Sequence, residues 1–140
     1  GDYPFYCLRK KWMDQQQARE YLLNKPFSVE TFPFGEDVSV FKVKHKMFAT
    51  LARGKMGKSD NESEDIYWMN LKSDPQEAIM LRDIFPSVIP GYHMSKVHWN
   101  TVKLDGSVPV GEIQRMMDNS FNLVVGNMTK ADQQSILLHT

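Results

Sequence analysis

Tyr92, His93, Lys96, His98 and Trp99 crowd one short stretch, residues 90–102, which holds the densest set of chemically capable side chains in the sequence. Histidines beside a tyrosine could hold a metal or move a proton, and aromatic rings beside lysines could bind nucleic acid. Spacing argues against the first two. His93 and His98 are five residues apart, an odd separation that points them to opposite faces of an ideal strand. A metal site needs three or four converging protein groups, and Asp105 is the only nearby carboxylate. A turn between the histidines would restore convergence; otherwise their expected role is to hydrogen-bond and fix a hairpin. The stretch reads as a binding surface rather than an enzyme active site.

A second concentration is electrostatic. The chain has 17 Lys and Arg against 17 Asp and Glu, so the whole molecule exerts no general pull on nucleic acid or anionic membrane, and such binding must come from a local patch. Lys42, Lys44, His45, Lys46, Arg53, Lys55 and Lys58 lie in residues 38–58, which contain no Asp or Glu, and Asp60, Glu62, Glu64 and Asp65 follow directly. This is either a phosphate-contacting surface or a solvated basic hairpin balanced by an acidic loop. Within it, Ala52-Arg53-Gly54-Lys55-Met56-Gly57-Lys58-Ser59 matches a relaxed phosphate-loop pattern with Ala in place of the first Gly. A working phosphate loop leaves a buried parallel strand and opens a helix whose amides hold the phosphates. Here the next residues are acidic and lack an apolar helical period, so a flexible basic loop is expected instead. Cys7, the single cysteine, has no local His partner and no internal disulfide partner. No nucleophile elbow, paired zinc cysteines, dinucleotide glycine fingerprint or calcium loop is present. Neither a metal nor a cofactor is expected.

The elements that position these residues can be read from periodicity and punctuation. At 140 residues with a 41% apolar fraction, the chain fits one domain with a sizeable core. Residues 1–12 show no period and read as an appendage, with Met13 a candidate natural start and residues 13–140 the domain. The absence of a long apolar run and of a secretory leader pattern points to the cytoplasm and away from membranes. Asp14 with Gln17 has the form of a helix cap with its reciprocal partner; Ala18, Tyr21 and Leu22 then share a face, and the helix stops near Asn24. Residues 38–52 read as a β-hairpin whose turn, near Lys44-His45, lacks the Gly or Asn that two-residue turns favour. A third strand covers residues 66–72. Asp74, Pro75 and Glu77 predict a second capped helix, with a capping box, ending at Pro86. Two strands fall in residues 88–104, closed by Asp105-Gly106. From near Pro109, Ile113, Met116, Met117, Phe121, Val124 and Val125 recur at helical spacing up to Gly126-Asn127, with the methionines read as core filler. Thr129 caps a short final helix. The order α-β-β-β-α-β-β-α-α predicts an α+β fold, a two-layer sandwich in which an antiparallel sheet of about five strands is covered by helices.

Taken as one motif, Pro90-Gly91-Tyr92-His93-Met94-Ser95-Lys96-Val97-His98-Trp99-Asn100-Thr101-Val102 resembles the signature of the MmcQ/YjbR family. The similarity extends through Asp105-Gly106-Ser107-Val108-Pro109, Asn70-Leu71-Lys72, Asp74-Pro75, Phe41-Lys42-Val43 and Lys46-Met47-Phe48-Ala49. It runs from near Met13 to the C-terminal helix. Where relatives often carry Gly-Gly, this chain has Lys44-His45, which makes the hairpin tip more basic. The resemblance implies an α/β sandwich likened to type III secretion chaperones and to frataxin, with a double-wing arrangement that binds DNA. Frataxin-like iron handling fits less well, because residues 14–24 offer only Asp14 and Glu20 as acids.

Together these readings predict a DNA-binding module without catalysis. Lys42, Lys44, His45, Lys46, Arg53, Lys55 and Lys58 contact phosphates from the first hairpin, and Lys96 and Lys103 add charge from the second. Tyr92, His93, His98 and Trp99 stack on bases or enter a groove, a structural role for Trp99 being equally open. Neutralising four to six phosphates predicts a log–log salt slope of about −4 to −5. The alternative is a protein-interaction or chaperone-like module that holds a peptide, since lysines also guard exposed strands. A third reading, a small-ligand pocket or enzyme around Tyr92, His93 and His98, requires those side chains to share one concave site.

Overall fold

The computed structural model of the chain describes residues 12–54 and 66–138. In these the order is α1 (Gln15–Leu23), β1 (Ser28–Thr31), β2 (Val38–Val43), β3 (Lys46–Arg53), β4 (Tyr67–Lys72), α2 (Pro75–Ile84), β5 (Val88–Pro90), β6 (Trp99–Lys103), α3 (Val110–Gly126) and α4 (Lys130–Leu137). The strands form one antiparallel sheet in the order β1-β2-β3-β4-β6-β5. The α+β architecture is the expected one, with one strand more. Ser28-Val29-Glu30-Thr31 has a single large apolar residue, and the flanking Phe27 and Phe32 stand two and three positions from it, so no sustained alternation announces β1. Its pairing with β2, from Ser28 opposite Val43 to Thr31 opposite Val40, is what makes it a strand.

Alternation along the strands sends Phe41, Val43, Leu51, Met69, Leu71 and Val102 to one face. There they meet Ala18 and Leu22 of α1, Leu81 of α2 and the Ile113, Met116, Met117, Phe121 and Val124 stripe of α3 in one cluster. Each Val, Leu, Ile, Phe or Met side chain among them contributes roughly 1.5–3 kcal/mol on full burial, so this layer dominates the fold's stability. A smaller cluster of Val38, Val40 and Ala52, flanked by Met47, occupies the other face.

Polar contacts then fix how the layers sit. The expected capping box closes α1: Asp14 accepts from the Gln17 N–H at 2.8 Å and Gln17 accepts from the Asp14 N–H at 3.0 Å. At α2, Asp74 accepts from the Gln76 and Glu77 amides, but the Glu77 carboxylate turns to Arg115 of α3 at 2.9 Å instead of completing the box. Tyr21 donates to Asp118 of α3 at 2.8 Å, an acceptor that Lys25 shares. Burial, followed by the neighbouring Asp118 carboxylate, pushes the Tyr21 phenol up to about 12. Ser120, fully buried on α3, donates to the Phe48 carbonyl at 2.5 Å and accepts from the Lys72 N–H at 2.8 Å. It thereby holds the adjoining ends of β3 and β4 together.

Candidate functional site

Antiparallel register decides which basic residues can act together. β3 begins at Lys46, β4 ends at Lys72 and β6 begins at Trp99, with Lys72 directly opposite Trp99. The β2–β3 turn and the β5–β6 connection therefore leave the sheet at the same end, with β3 and β6 about 10 Å apart across two strand spacings. Arg53 lies at the far end of β3, about 24 Å from Lys46 at the usual rise per residue. Lys103 is at that far end too, opposite Trp68, with its ammonium 4.8 Å from the indole ring centre. The stretch that reads as one basic run is thus divided between two ends of the sheet. Lys55, Lys58, the four acidic residues after them and most of the phosphate-loop pattern lie outside the described residues. Ala52 and Arg53, which open that pattern, belong to a strand antiparallel to both neighbours, where a phosphate loop requires a parallel one.

At the tip, Lys44 and His45 adopt φ of 47° and 69°. This is the turn that normally takes Asn-Gly, so two side-chain-bearing residues occupy left-handed backbone at a cost of about 1 kcal/mol each. Lys44 is anchored to α4: its ammonium donates to Ser135 at 3.0 Å, lies 3.9 Å from Asp132 and sits 5.0 Å from the Phe27 ring centre. His45 and Lys46 are exposed, and Lys42 is half-buried beside a register shift in β2. Two hollows flank the tip. One, of about 400 Å³, is lined by Lys44, Lys46, Lys72, Asn127, Thr129 and Asp132 among others. The other, of about 530 Å³, is lined by Phe27, Val29, Thr31, Lys42, Lys44 and His45.

The β5–β6 connection is occupied with its own construction. A Cβ on Gly91 would lie 2.8 Å from the Trp99 Cβ and 3.0 Å from both the Met94 Cβ and the Trp99 carbonyl oxygen, so only glycine fits without displacement. The Tyr92 N–H donates to Thr101 Oγ1 at 2.8 Å, its carbonyl accepts from Asn70 at 3.3 Å, and Thr101 donates to Asn70 Oδ1 in turn. The Tyr92 ring stands edge-on to Trp68 and to His93, at 5.6 and 4.3 Å. Lys96 donates to the Gly91 carbonyl at 3.0 Å, and the His98 carbonyl accepts from the Ser73 N–H at 2.8 Å. Trp99 is half-buried, and Asn100 links Arg82 to the Ala78 carbonyl. His93, in left-handed backbone at φ 57°, and His98 keep exposed side chains. Among the described residues, no group of three or more His, Cys, Asp or Glu is placed to hold a metal ion. Asp105 instead closes the β6–α3 turn through Ser87 and Ser107. Burial alone would raise its carboxyl, but those hydroxyls and the Ser107 N–H hold it below the ordinary aspartate range.

A family model described as YjbR matches residues 23–123. The chain belongs to the YjbR family. It is 34% identical to the uncharacterised protein YbdF of Escherichia coli O157:H7 over 128 residues, covering 89% of this chain and 98% of the relative. The uncharacterised protein YjbR of Escherichia coli K12 is 29% identical over 126 residues, covering 90% and 98%. The crystal structure of Deinococcus radiodurans protein DR2400, a DUF419 domain, superposes with a TM-score of 0.76 at 32% identity, covering 90% of this chain and 89% of that one.

Sequence reading of this YjbR domain missed Lys72 as a site residue. It stands alone among apolar and amide residues in Asn70-Leu71-Lys72, with no basic neighbour to draw attention. Only the β3–β4 register brings it beside Lys46. No helix in the described residues is long and apolar enough to cross a membrane.

Proposed function

We propose that the chain is a non-catalytic, cytoplasmic DNA-binding module that holds the phosphate backbone at the end of the sheet where both hairpin loops emerge. The observation that carries this reading is the meeting of Lys44, Lys46 and Lys72, from the turn, β3 and β4, around one groove in which Asp132 is the single carboxylate. Three ammonium groups against one carboxylate leave a local positive field on a molecule of zero formal charge. The β5–β6 loop lies alongside, and its exposed His98 and His93 supply a second point of contact, in keeping with a two-winged grip.

Fluorescence anisotropy with a labelled duplex of about 20 base pairs tests this across a salt series. With Lys44 held by Ser135 and Asp132, the two phosphates neutralised by Lys46 and Lys72 give a log–log slope of about −2, shallower than the −4 to −5 expected from four to six phosphates. Lys46→Ala and Lys72→Ala each remove about one unit of slope, whereas Arg53→Ala leaves it unchanged. Absence of any anisotropy change at micromolar protein and low salt overturns the reading.

A further inference from the structure

The second hollow has a different character and lies along an edge of the sheet. Among the described residues β1 pairs with β2 alone, so its outer edge presents backbone N–H and C=O groups at alternate residues, except that the Ser28 N–H donates to the Lys25 carbonyl at 3.0 Å. The opposite edge, β5, is protected: three residues long, it ends on Pro90 and follows Pro86, and proline removes the donors that another strand would use. β1 has no proline or lysine within it, and its one acid is turned inward. Arg19 holds Glu30 at 2.7 Å and Ser39 donates to it at 2.7 Å. Burial alone would raise the Glu30 carboxyl, but these partners keep it below the ordinary glutamate range.

Beside this edge the hollow combines an apolar floor with basic walls. Val29 is 55% exposed and Phe27 41% exposed, and Lys42, the β-sheet partner of Val29, lines the space with Lys44, His45 and Thr31. No carboxylate is among the lining residues. Three of its residues, Phe27, Lys44 and His45, hold φ of 60°, 47° and 69°, and strained backbone of this kind gathers where a surface is shaped for a ligand.

We infer that the β1 edge docks an extended peptide segment as an added strand, one whose inward-facing positions alternate an apolar residue with an acidic one. Strand addition supplies main-chain hydrogen bonds, and the period of two places neighbouring side chains of one face over Val29 and Phe27 and then against Lys42 and His45. Charge complementarity selects acid over base at the second position. This site adjoins the phosphate groove, Lys44 lining both, but it is built on the β1 edge and does not rest on the DNA reading.

The probe is a fluorescein-labelled peptide of about eight residues with valine and glutamate alternating on one face and threonine on the other, and its control carries lysine for glutamate. The glutamate peptide binds saturably and about tenfold more tightly than the lysine peptide; Lys42→Glu reverses the order, and Lys46→Ala leaves it unchanged. Two further versions are methylated on alternate backbone nitrogens, one for each peptide edge, and one of the two loses at least about tenfold in affinity. Equal binding of glutamate and lysine peptides, or indifference to both methylated versions, overturns the inference. Concentration-dependent dimerisation of the unliganded chain in sedimentation, abolished by Val29→Lys, also overturns it, because a second copy would then occupy the edge.

Discussion

The Lys44-His45 turn and the β5–β6 connection leave the same end of the sheet, yet their polar atoms are spent very differently. In the connection, the backbone of Tyr92 is bonded to Thr101 and Asn70, Lys96 to Gly91, and the His98 carbonyl to Ser73. At the turn, only Lys44 is tied down, while His45 and Lys46 stand exposed and two residues hold left-handed backbone without a glycine. A dense set of reactive residue types is therefore a poor guide to a site when those residues build the fold. Cations whose hydrogen-bonding capacity is still open are the better guide, even where the local sequence is plain.

The sharpest way to break this contrast is at Gly91. A side chain there meets the Trp99 Cβ and carbonyl from 2.8 to 3.0 Å, and the neighbour on one side is backbone that cannot swing aside. Gly91→Val lowers stability by about 3 kcal/mol in urea denaturation, the upper range for overpacking, while the salt slope of the folded fraction on DNA stays as in the parent. Full stability in this variant would mean that the connection is not the structural unit described.

A smaller effect separates the two loops by their strain. The His45 side chain is exposed, so His45→Gly relieves its φ of 69° without opening a buried space. The gain is partly offset by the freer unfolded chain, leaving a net stabilisation of about 0.5 kcal/mol, read as a higher denaturation midpoint. His93→Gly relieves a similar φ of 57° but gives up the ring contact with Tyr92 at 4.3 Å, worth about 0.5–1 kcal/mol, and so is close to neutral. Equal midpoint shifts in the two variants would erase the distinction.

The same contrast explains what could be read without coordinates. Helices announced themselves through Asp14 with Gln17, Asp74 with Pro75, and the Ile113 to Val124 stripe, because capping and the 3.6-residue period are local properties. The strained tip was legible too, since Lys44-His45 lacks the residues its turn requires. β1 was not, because four residues with one large apolar side chain carry no period, and only pairing with β2 defines them. Nor was the division of the basic run, for Lys46 and Arg53 sit seven positions apart in sequence and at opposite ends of one strand. Lys72 enters the groove through register alone, a non-local fact that no window of sequence contains.

The smallest expected effect is at Lys96, and it bears most directly on which loop binds. By residue type Lys96 is as good a phosphate contact as Lys46, and it lies at the same end of the sheet. Its ammonium, however, is committed at 3.0 Å to the Gly91 carbonyl within its own loop. Moving it to a phosphate would exchange one hydrogen bond for another and leave that carbonyl to water. Because the side chain is exposed, Lys96→Ala changes stability by no more than about 0.5 kcal/mol. Its DNA salt slope matches the parent, whereas Lys46→Ala loses about one unit. Should Lys96→Ala lower the slope as much as Lys46→Ala, the β5–β6 loop is an equal wing and its internal bonds are exchanged on binding.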